Sequence, residues 1–295
     1  MENTVIFLGK EGLKMTSIQH FILTRFNIRI WRQDKSGNAV RTRGWLENRC
    51  ALFEKYCLPS ITHQTCKDFQ WIVLFDDKTP EEFRKRIRDY QVQCPQLLPV
   101  FVAPEDGRDF GKIFRSEVLE HLSGRRVITT YLDNDDALDI HFVEDLQKRA
   151  SDLADGTFVY YTNGYQYFTE FGILLRINYR RNHFVSVIEA GAPETVKTIF
   201  GYGSHYYIDK IPGAAIEYVK DRPLWCEVIH RRNMGNDAYF LLGTRMMRDE
   251  QILRRDFNID ETPRHGFALY AFRFLPRFIV VFFRRIKYFF FGRKW

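Results

Sequence analysis

Short runs of β-branched and aromatic residues alternate along this chain with segments whose apolar residues recur every three or four positions. Strands and helices therefore alternate. Gln19 to Phe26 (QHFILTRF) predicts a first strand. Thr42 to Cys57 carries Trp45, Leu46, Leu52, Phe53 and Tyr56 near helical spacing, and Pro59 predicts its stop. Phe69 to Phe75 (FQWIVLF) predicts a second, buried strand that runs into Asp76-Asp77. Pro80 to Tyr90 reads as a charged, surface-facing helix, Leu98 to Val102 as a short third strand and Phe110 to Leu122 as the next helix. Arg126 to Leu132 predicts a fourth strand, and Ile140 to Ala150 a helix capped by Asp139. This rhythm implies an α/β fold, a mostly parallel sheet with helices on both faces. Open sheets of this kind bind ligands at the carboxyl ends of their strands. Three such ends are predicted to converge: Thr24-Arg25, Asp76-Asp77 and Asp133 to Asp136.

The last of these, Leu132-Asp133-Asn134-Asp135-Asp136, places three carboxylates within four residues. They repel one another unless neutralised, and Mg²⁺ or Mn²⁺ bridges carboxylate to phosphate well. The spacing Asp133-x-Asp135 thus suggests a metal–diphosphate site; an Asx turn capping the following helix fits the same residues. No glycine-rich dinucleotide fingerprint follows the first strand and no P-loop occurs, so metal and arginines would have to hold any phosphate.

Composition narrows the class. The 295 residues suffice for one large α/β domain or a domain with appendages, and the 45% hydrophobic and 27% charged shares are those of a folded protein. Five scattered cysteines without a Cys-x-x-Cys pair argue against a zinc site or disulfide framework and for a reducing compartment. The first ten residues lack the apolar run of a secretory signal, so a cytoplasmic location is expected. The net charge of +7 points to an acidic partner without selecting one, while the acidic residues gather near 76–82, 105–109 and 133–145.

The stretch from Leu58 to Asp77 (LPSITHQTCKDFQWIVLFDD) resembles the opening of family 2 glycosyltransferases, and Leu132 to Asp136 is similar to their LDxDD motif. His20 to Phe26, and later Leu224-Trp225-Cys226-Glu227-Val228-Ile229-His230, resemble the bacterial rhamnosyltransferase group. The resemblance implies a GT-A fold over residues 1–265. Residues 19–165 would form the nucleotide-sugar-binding half and 166–265 the acceptor half. It implies a nucleotide-diphosphate sugar donor, with rhamnose as the suggested sugar, a divalent metal (Mn²⁺ or Mg²⁺), and a saccharide or lipid-linked acceptor. Carried over by position, Asp77 would meet the nucleobase, Asp133 the ribose and Asp135 the metal. Thr24, Arg25 and Arg115 would lie near the nucleotide. Lys78-Thr79-Pro80 stands where the family continues Gly-Ser, a departure that bears on the shape of the base pocket.

Glycosyl transfer to a hydroxyl needs charge neutralisation on the leaving diphosphate and a general base. Glu189, Glu194, His205, Asp209 and Glu227 are candidates for the base. Glu189 is preferred because it follows a strand-like run and precedes glycine; a solvated carboxylate at a turn explains it too. His230 matches a late histidine that supplies a further metal ligand in such enzymes, or it is a hydrogen-bonded structural residue. Phe158 to Phe168, with Asn163-Gly164 at its centre, reads as a hairpin and suits a sugar platform. The tail, residues 266–295, sets Arg273, Arg277 and Arg284 on one side of a helical wheel with Phe and Ile opposite. That pattern predicts an interfacial helix at an anionic membrane surface, or one docked on the protein. A nucleotidyltransferase, or a basic nucleic-acid-binding protein, are the alternative classes. Gly9-Lys10-Glu11-Gly12 fits the first poorly, and an acidic cleft fits the second poorly, so no nucleic acid is expected as partner.

Overall fold

The computed structural model describes residues 18–30, 33, 39–123, 126–230 and 244–266, with scattered positions from 268 to 286. The chain runs β1 (Ile18–Arg25), α1 (Arg43–Leu52), a π-helical turn (Phe53–Cys57), α2 (Leu58–Thr62), β2 (Gln70–Asp76), α3 (Glu81–Gln93) and β3 (Leu97–Val102). A 3-10 turn (Asp106–Asp109) leads into α4 (Phe110–Glu120), then β4 (Arg126–Tyr131), β5 (Ala137–Leu138), α5 (Phe142–Ala150), β6 (Thr157–Tyr161), β7 (Asn163–Phe168), β8 (Ile173–Asn178) and β9 (Val185–Ala190). Two further 3-10 turns (Ile199–Tyr202 and His205–Lys210), β10 (Ala215–Val219), β11 (Trp225–Ile229), β12 (Arg245–Met246) and α6 (Ile252–Phe257) complete it.

The main sheet has the order β10-β6-β9-β4-β1-β2-β3. Strands β3, β2, β1 and β4 are parallel, and β9 enters antiparallel between β4 and β6. Alternation along the strands sorts their side chains to two cores. On one face Ile22, Trp71, Val73 and Phe75 pack with Leu46, Phe53, Phe83 and Ile87 from the helical layer. On the other, Phe21, Leu23, Ile72 and Leu74 meet Phe114 and Val118 of α4. Burial on both faces is why β1, β2 and β4 read as near-continuous apolar runs.

Two expectations change. The first helical segment continues past Pro59 to Thr62, because the π-helical turn restarts the helix and leaves the proline in the first turn of α2. A missing N–H costs little there. The predicted hairpin over Phe158–Phe168 does not form. β6 lies in the main sheet, whereas β7 belongs to a second sheet of order β12-β8-β7-β11-β5. Gly164 is needed for close approach rather than for a turn, since a Cβ there would lie 2.1 Å from the Trp225 indole. The basic residues of the tail, Arg273, Arg277, Arg284, Arg285 and Lys287, lie outside the described residues. Ile279, Val280, Phe282 and Phe283 are exposed. Among the described residues no helix is long and apolar enough to cross a membrane.

Candidate active site

Because β1 and β4 are parallel neighbours, with Leu23 level with Tyr131, their carboxyl ends deliver Arg25 and the Asp133–Asp136 loop side by side. The Arg25 guanidinium sits 4.9 Å from the ring centre of Phe110, 5.2 Å from Tyr131 and 5.3 Å from Phe200. It donates to the Tyr131 hydroxyl and, at 3.5 Å, to Asp133 Oδ1, which also accepts from that hydroxyl at 2.8 Å. Asn134 pins the loop to β1 through the carbonyls of Phe26 (2.8 Å) and Arg25 (3.1 Å).

Deeper in, Asp135 Oδ2 accepts from Arg49 Nη1 at 2.7 Å and lies 2.8 Å from His230 Nε2. Burial alone would raise the Asp135 pKa, but the Arg49 charge and the His230 contact outweigh it and hold the carboxyl well below the usual range. Asp136 is fully buried; its Oδ1 accepts from the Val228 N–H at 2.8 Å, and its Oδ2 lies 2.7 Å from His183 Nε2. Burial, joined by Asp135 and Asp133, pushes Asp136 up to about 7 against the pull of His183. Burial disfavours the His183 imidazolium, yet Asp136 and Asp133 raise its pKa to about 9. Beside this pair, Glu227 accepts from Gln166 at 2.5 Å through one oxygen, while Oε1 is buried with no hydrogen-bond partner. Burial pushes Glu227 up to about 8.

The structure brings Arg25, Asp133, Asp135 and His230 together and sets Asp77 at the neighbouring end of β2. Asp77 Oδ1 is buried with no hydrogen-bond partner, while Oδ2 lies 3.6 Å from Lys78 Nζ and the side chain as a whole is one-third exposed. Its neighbour Asp76 is used internally, by Arg29 (2.8 Å) and the Lys78 N–H (2.8 Å). Thr24 is not in the site: its hydroxyl faces the core and accepts from the Trp71 indole at 2.9 Å. Arg115 is set away from the carboxylates, donating to the carbonyls of Val196 (2.8 Å) and Pro193 (2.7 Å).

Glu189 is not brought to the cluster. It pairs in register with Val127, four residues from Tyr131 along β4, or about 13 Å at ~3.3 Å per residue. Both its oxygens are engaged, by the N–H groups of Lys197 (2.8 Å) and Thr198 (3.0 Å) and by the Tyr202 hydroxyl (3.0 Å). It clamps the segment that carries Phe200. Glu194 is exposed, and Asp209 pairs with Arg181. His205 does reach the site, its ring 6.0 Å from His183 and 6.4 Å from Tyr131. Burial and the charges of His183 and Arg25 lower its pKa to about 3, so it is neutral.

Two residues of the cluster, Arg49 and His183, are absent from the sequence expectations. A signal existed for Arg49, a cation between Leu46, Cys50 and Phe53 on the apolar face of its helix; nothing local marks His183. For a cation, the ligand atoms of Asp133, Asp136 and His183 lie within 4.8 Å of one another, an oxygen-and-imidazole set that suits Mn²⁺ or Mg²⁺. Asp135 and His230, the expected ligands, are in direct contact with each other, with Arg49 on the same carboxylate oxygen.

Comparison with known proteins follows this geometry. Among solved structures, TarS residues 1–349 from Staphylococcus aureus is similar at 11% identity and a TM-score of 0.40, over 72% of this chain and 60% of that one. The same protein in complex with UDP gives 11% identity and 0.36, over 72% and 61%. A "putative nucleotide-diphospho-sugar transferase" from Desulfovibrio desulfuricans G20 gives 8% identity and 0.36, over 70% and 81%. The chain thus spans about three fifths of the TarS 1–349 structures. No curated protein sequence matches it. The family model described as "Putative rhamnosyl transferase" matches residues 23–237, from the middle of β1 to beyond the Asp135 partner His230, and the chain belongs to that glycosyltransferase family.

Proposed function

We propose that the protein transfers a sugar, rhamnose being the first to try, from a nucleoside-diphosphate donor to a hydroxyl of a saccharide or lipid-linked acceptor. The supporting observation is the meeting of Arg25, Asp77 and the Asp133–Asp136 loop at the carboxyl ends of three adjacent parallel strands, within the span matched by the family. Asp77, one-third exposed at the end of β2, suits a nucleobase N–H. Asp133, the most open carboxylate of the loop at 26% side-chain exposure, suits the ribose and diphosphate. A divalent cation held by this loop, through Asp133, Asp136 and His183 or through Asp135 and His230, would neutralise the charge that builds on the leaving diphosphate. Arg25, which donates to Asp133 Oδ1, would orient that group beside the loop. The acceptor hydroxyl must give up a proton. Glu227 is sealed from solvent, and the half-buried His205 imidazole beside the loop is neutral but, with its pKa lowered to about 3, a weak base.

A specific observation supports a second reading in which no metal takes part. Asp133, Asp135 and Asp136 each already face a cationic partner, Arg25, Arg49 and His183. Calorimetric titration with UDP, dTDP, GDP and ADP, with Mn²⁺ and with EDTA, separates the two. We expect one nucleotide to bind with Mn²⁺, at least about tenfold more weakly in Asp133→Asn. Equal affinity in EDTA selects the metal-free reading. A folded protein that binds none of the four has no donor site here.

We also propose that the tail rests on the inner face of the cell membrane. Its exposed Ile279, Val280, Phe282 and Phe283 support this, as does the basic pattern of its sequence. Removal of residues 267–295 should release the protein from anionic vesicles; retention assigns binding elsewhere.

A further inference from the structure

A cavity of about 370 Å³ opens beside the rings around Arg25, between the start of α4 and the segment that follows β9. Small-molecule sites run from roughly 300 to 1,000 Å³, so this one holds a group of modest size. Phe110 and Phe200, edge to face at 5.3 Å, form its wall, and the same two rings carry the Arg25 guanidinium. The lining shares Phe110 and Phe200 with Arg25 and includes no residue of the Asp133–Asp136 loop.

The lining is cationic, and the cations come from separate elements. Arg108 belongs to the 3-10 turn before α4, Lys112 to α4 itself and Lys197 to the segment after β9. Among the described residues the lining holds one acid, Asp109, and Lys112 Nζ lies 3.3 Å from it. Arg115 ties the two walls together through the carbonyls of Val196 and Pro193, and the Glu189 clamp fixes Lys197 from behind. The site is therefore a largely open depression between two tied walls, with positive charge in excess. Lys112 Nζ rests on Asp109 and Lys197 Nζ lies 5.4 Å from the Tyr202 ring centre, and guanidinium and ammonium groups around one depression suit a phosphate oxyanion, which accepts several charge-assisted hydrogen bonds at once.

We propose that this cavity binds a phosphate-bearing group of the acceptor, either a phosphodiester of a polymer or the phosphate of a lipid carrier. The word acceptor rests on the glycosyltransferase reading; the phosphate site itself does not. The donor's own diphosphate is assigned to the carboxylate loop, no residue of which lines the cavity.

The test uses the full chain and two probes, glycerol 3-phosphate in solution and phosphatidylcholine vesicles with and without phosphatidic acid. Each is titrated into wild type, the double variant Arg108→Ala/Lys197→Ala and the charge-preserving Arg108→Lys/Lys197→Arg. Both residues are exposed, so the variants should fold. We expect the phosphate probe to bind nucleotide-saturated protein, about tenfold more weakly in the alanine variant and near normally in the charge-preserving one. Nucleoside diphosphate affinity should be unchanged in both. Variant-sensitive binding of glycerol 3-phosphate points to a soluble phosphate-bearing acceptor, and variant-sensitive binding of vesicles alone to a lipid carrier. Loss of nucleotide binding in the alanine variant, or competition between nucleotide and glycerol 3-phosphate, returns the cavity to the donor and overturns the proposal. Equal binding of both probes by all three proteins overturns it as well. If wild type binds the phosphate probe in a variant-sensitive way but no nucleotide, the phosphate site stands and the glycosyltransferase reading falls.

Discussion

Replacing Glu227 by glutamine should remove a pH-dependent weakness from the protein. Glu227 is 3% exposed, accepts one hydrogen bond from Gln166 and has a second oxygen with no partner. Desolvation raises its pKa from the ordinary 4.5 to about 8. A carboxyl raised in this way binds its proton more tightly in the native state than in the unfolded chain. Its contribution to stability is therefore full below pH ~4.5 and is lost as pH rises towards 8. Integrating between those two pKa values, the loss from pH 5 to pH 8 is a few kcal/mol. Glutamine keeps the shape and an acceptor for Gln166 but does not titrate. Glu227 also acts on the neighbouring Asp136–His183 pair, raising the His183 pKa, so the comparison reads the titration of the three groups together. Urea denaturation at pH 5 and pH 8 should thus show similar stabilities at pH 5 and an advantage for Glu227→Gln that grows by a few kcal/mol at pH 8. Parallel pH dependence in the two proteins would mean that Glu227 is solvated and titrates normally.

Asp135→Asn should leave the buried Arg49 without a carboxylate and lower stability by about 3 kcal/mol, whereas Asp133→Asn, at a more open position, should weaken nucleotide binding with little change in Tm; scanning calorimetry on both checks this, and equal Tm values contradict the Arg49 pairing. Gly164→Ala should cost roughly 3 kcal/mol or more through the Trp225 contact, a Tm drop of ~6 °C, and an unchanged Tm would show that the indole can move aside. Glu189→Gln should loosen the clamp on residues 197–202 and lower stability by about 1–2 kcal/mol. It should leave kcat within about tenfold; a fall of roughly a thousandfold would restore Glu189 as the base, on the scale of general-base catalysis.

What was legible in the sequence followed from local periodicity. Strands β1, β2 and β4 announce themselves because both faces are buried, and the aspartates that end them mark the edge where a ligand belongs. The family-like segments lie in that same half. Local pattern misjudged Pro59, since a π-helical turn is a tertiary accommodation that no propensity reveals. It also misread Asn163-Gly164, because a turn glycine and a glycine that admits an indole look alike until Trp225 is in place.

The sequence alone determined the α/β class, the three converging strand ends and the candidacy of Arg25, Asp77, Asp133 and Asp135, all properties of neighbours along the chain. Tertiary structure decided the rest. The antiparallel entry of β9 carried Glu189 to the far end of the sheet, while the turn just before β9 brought His183 onto Asp136. Arg49 reached Asp135 from a helix more than eighty residues earlier, at 2.7 Å. Charge pairing and desolvation depend on distance in space, and sheet order sets those distances.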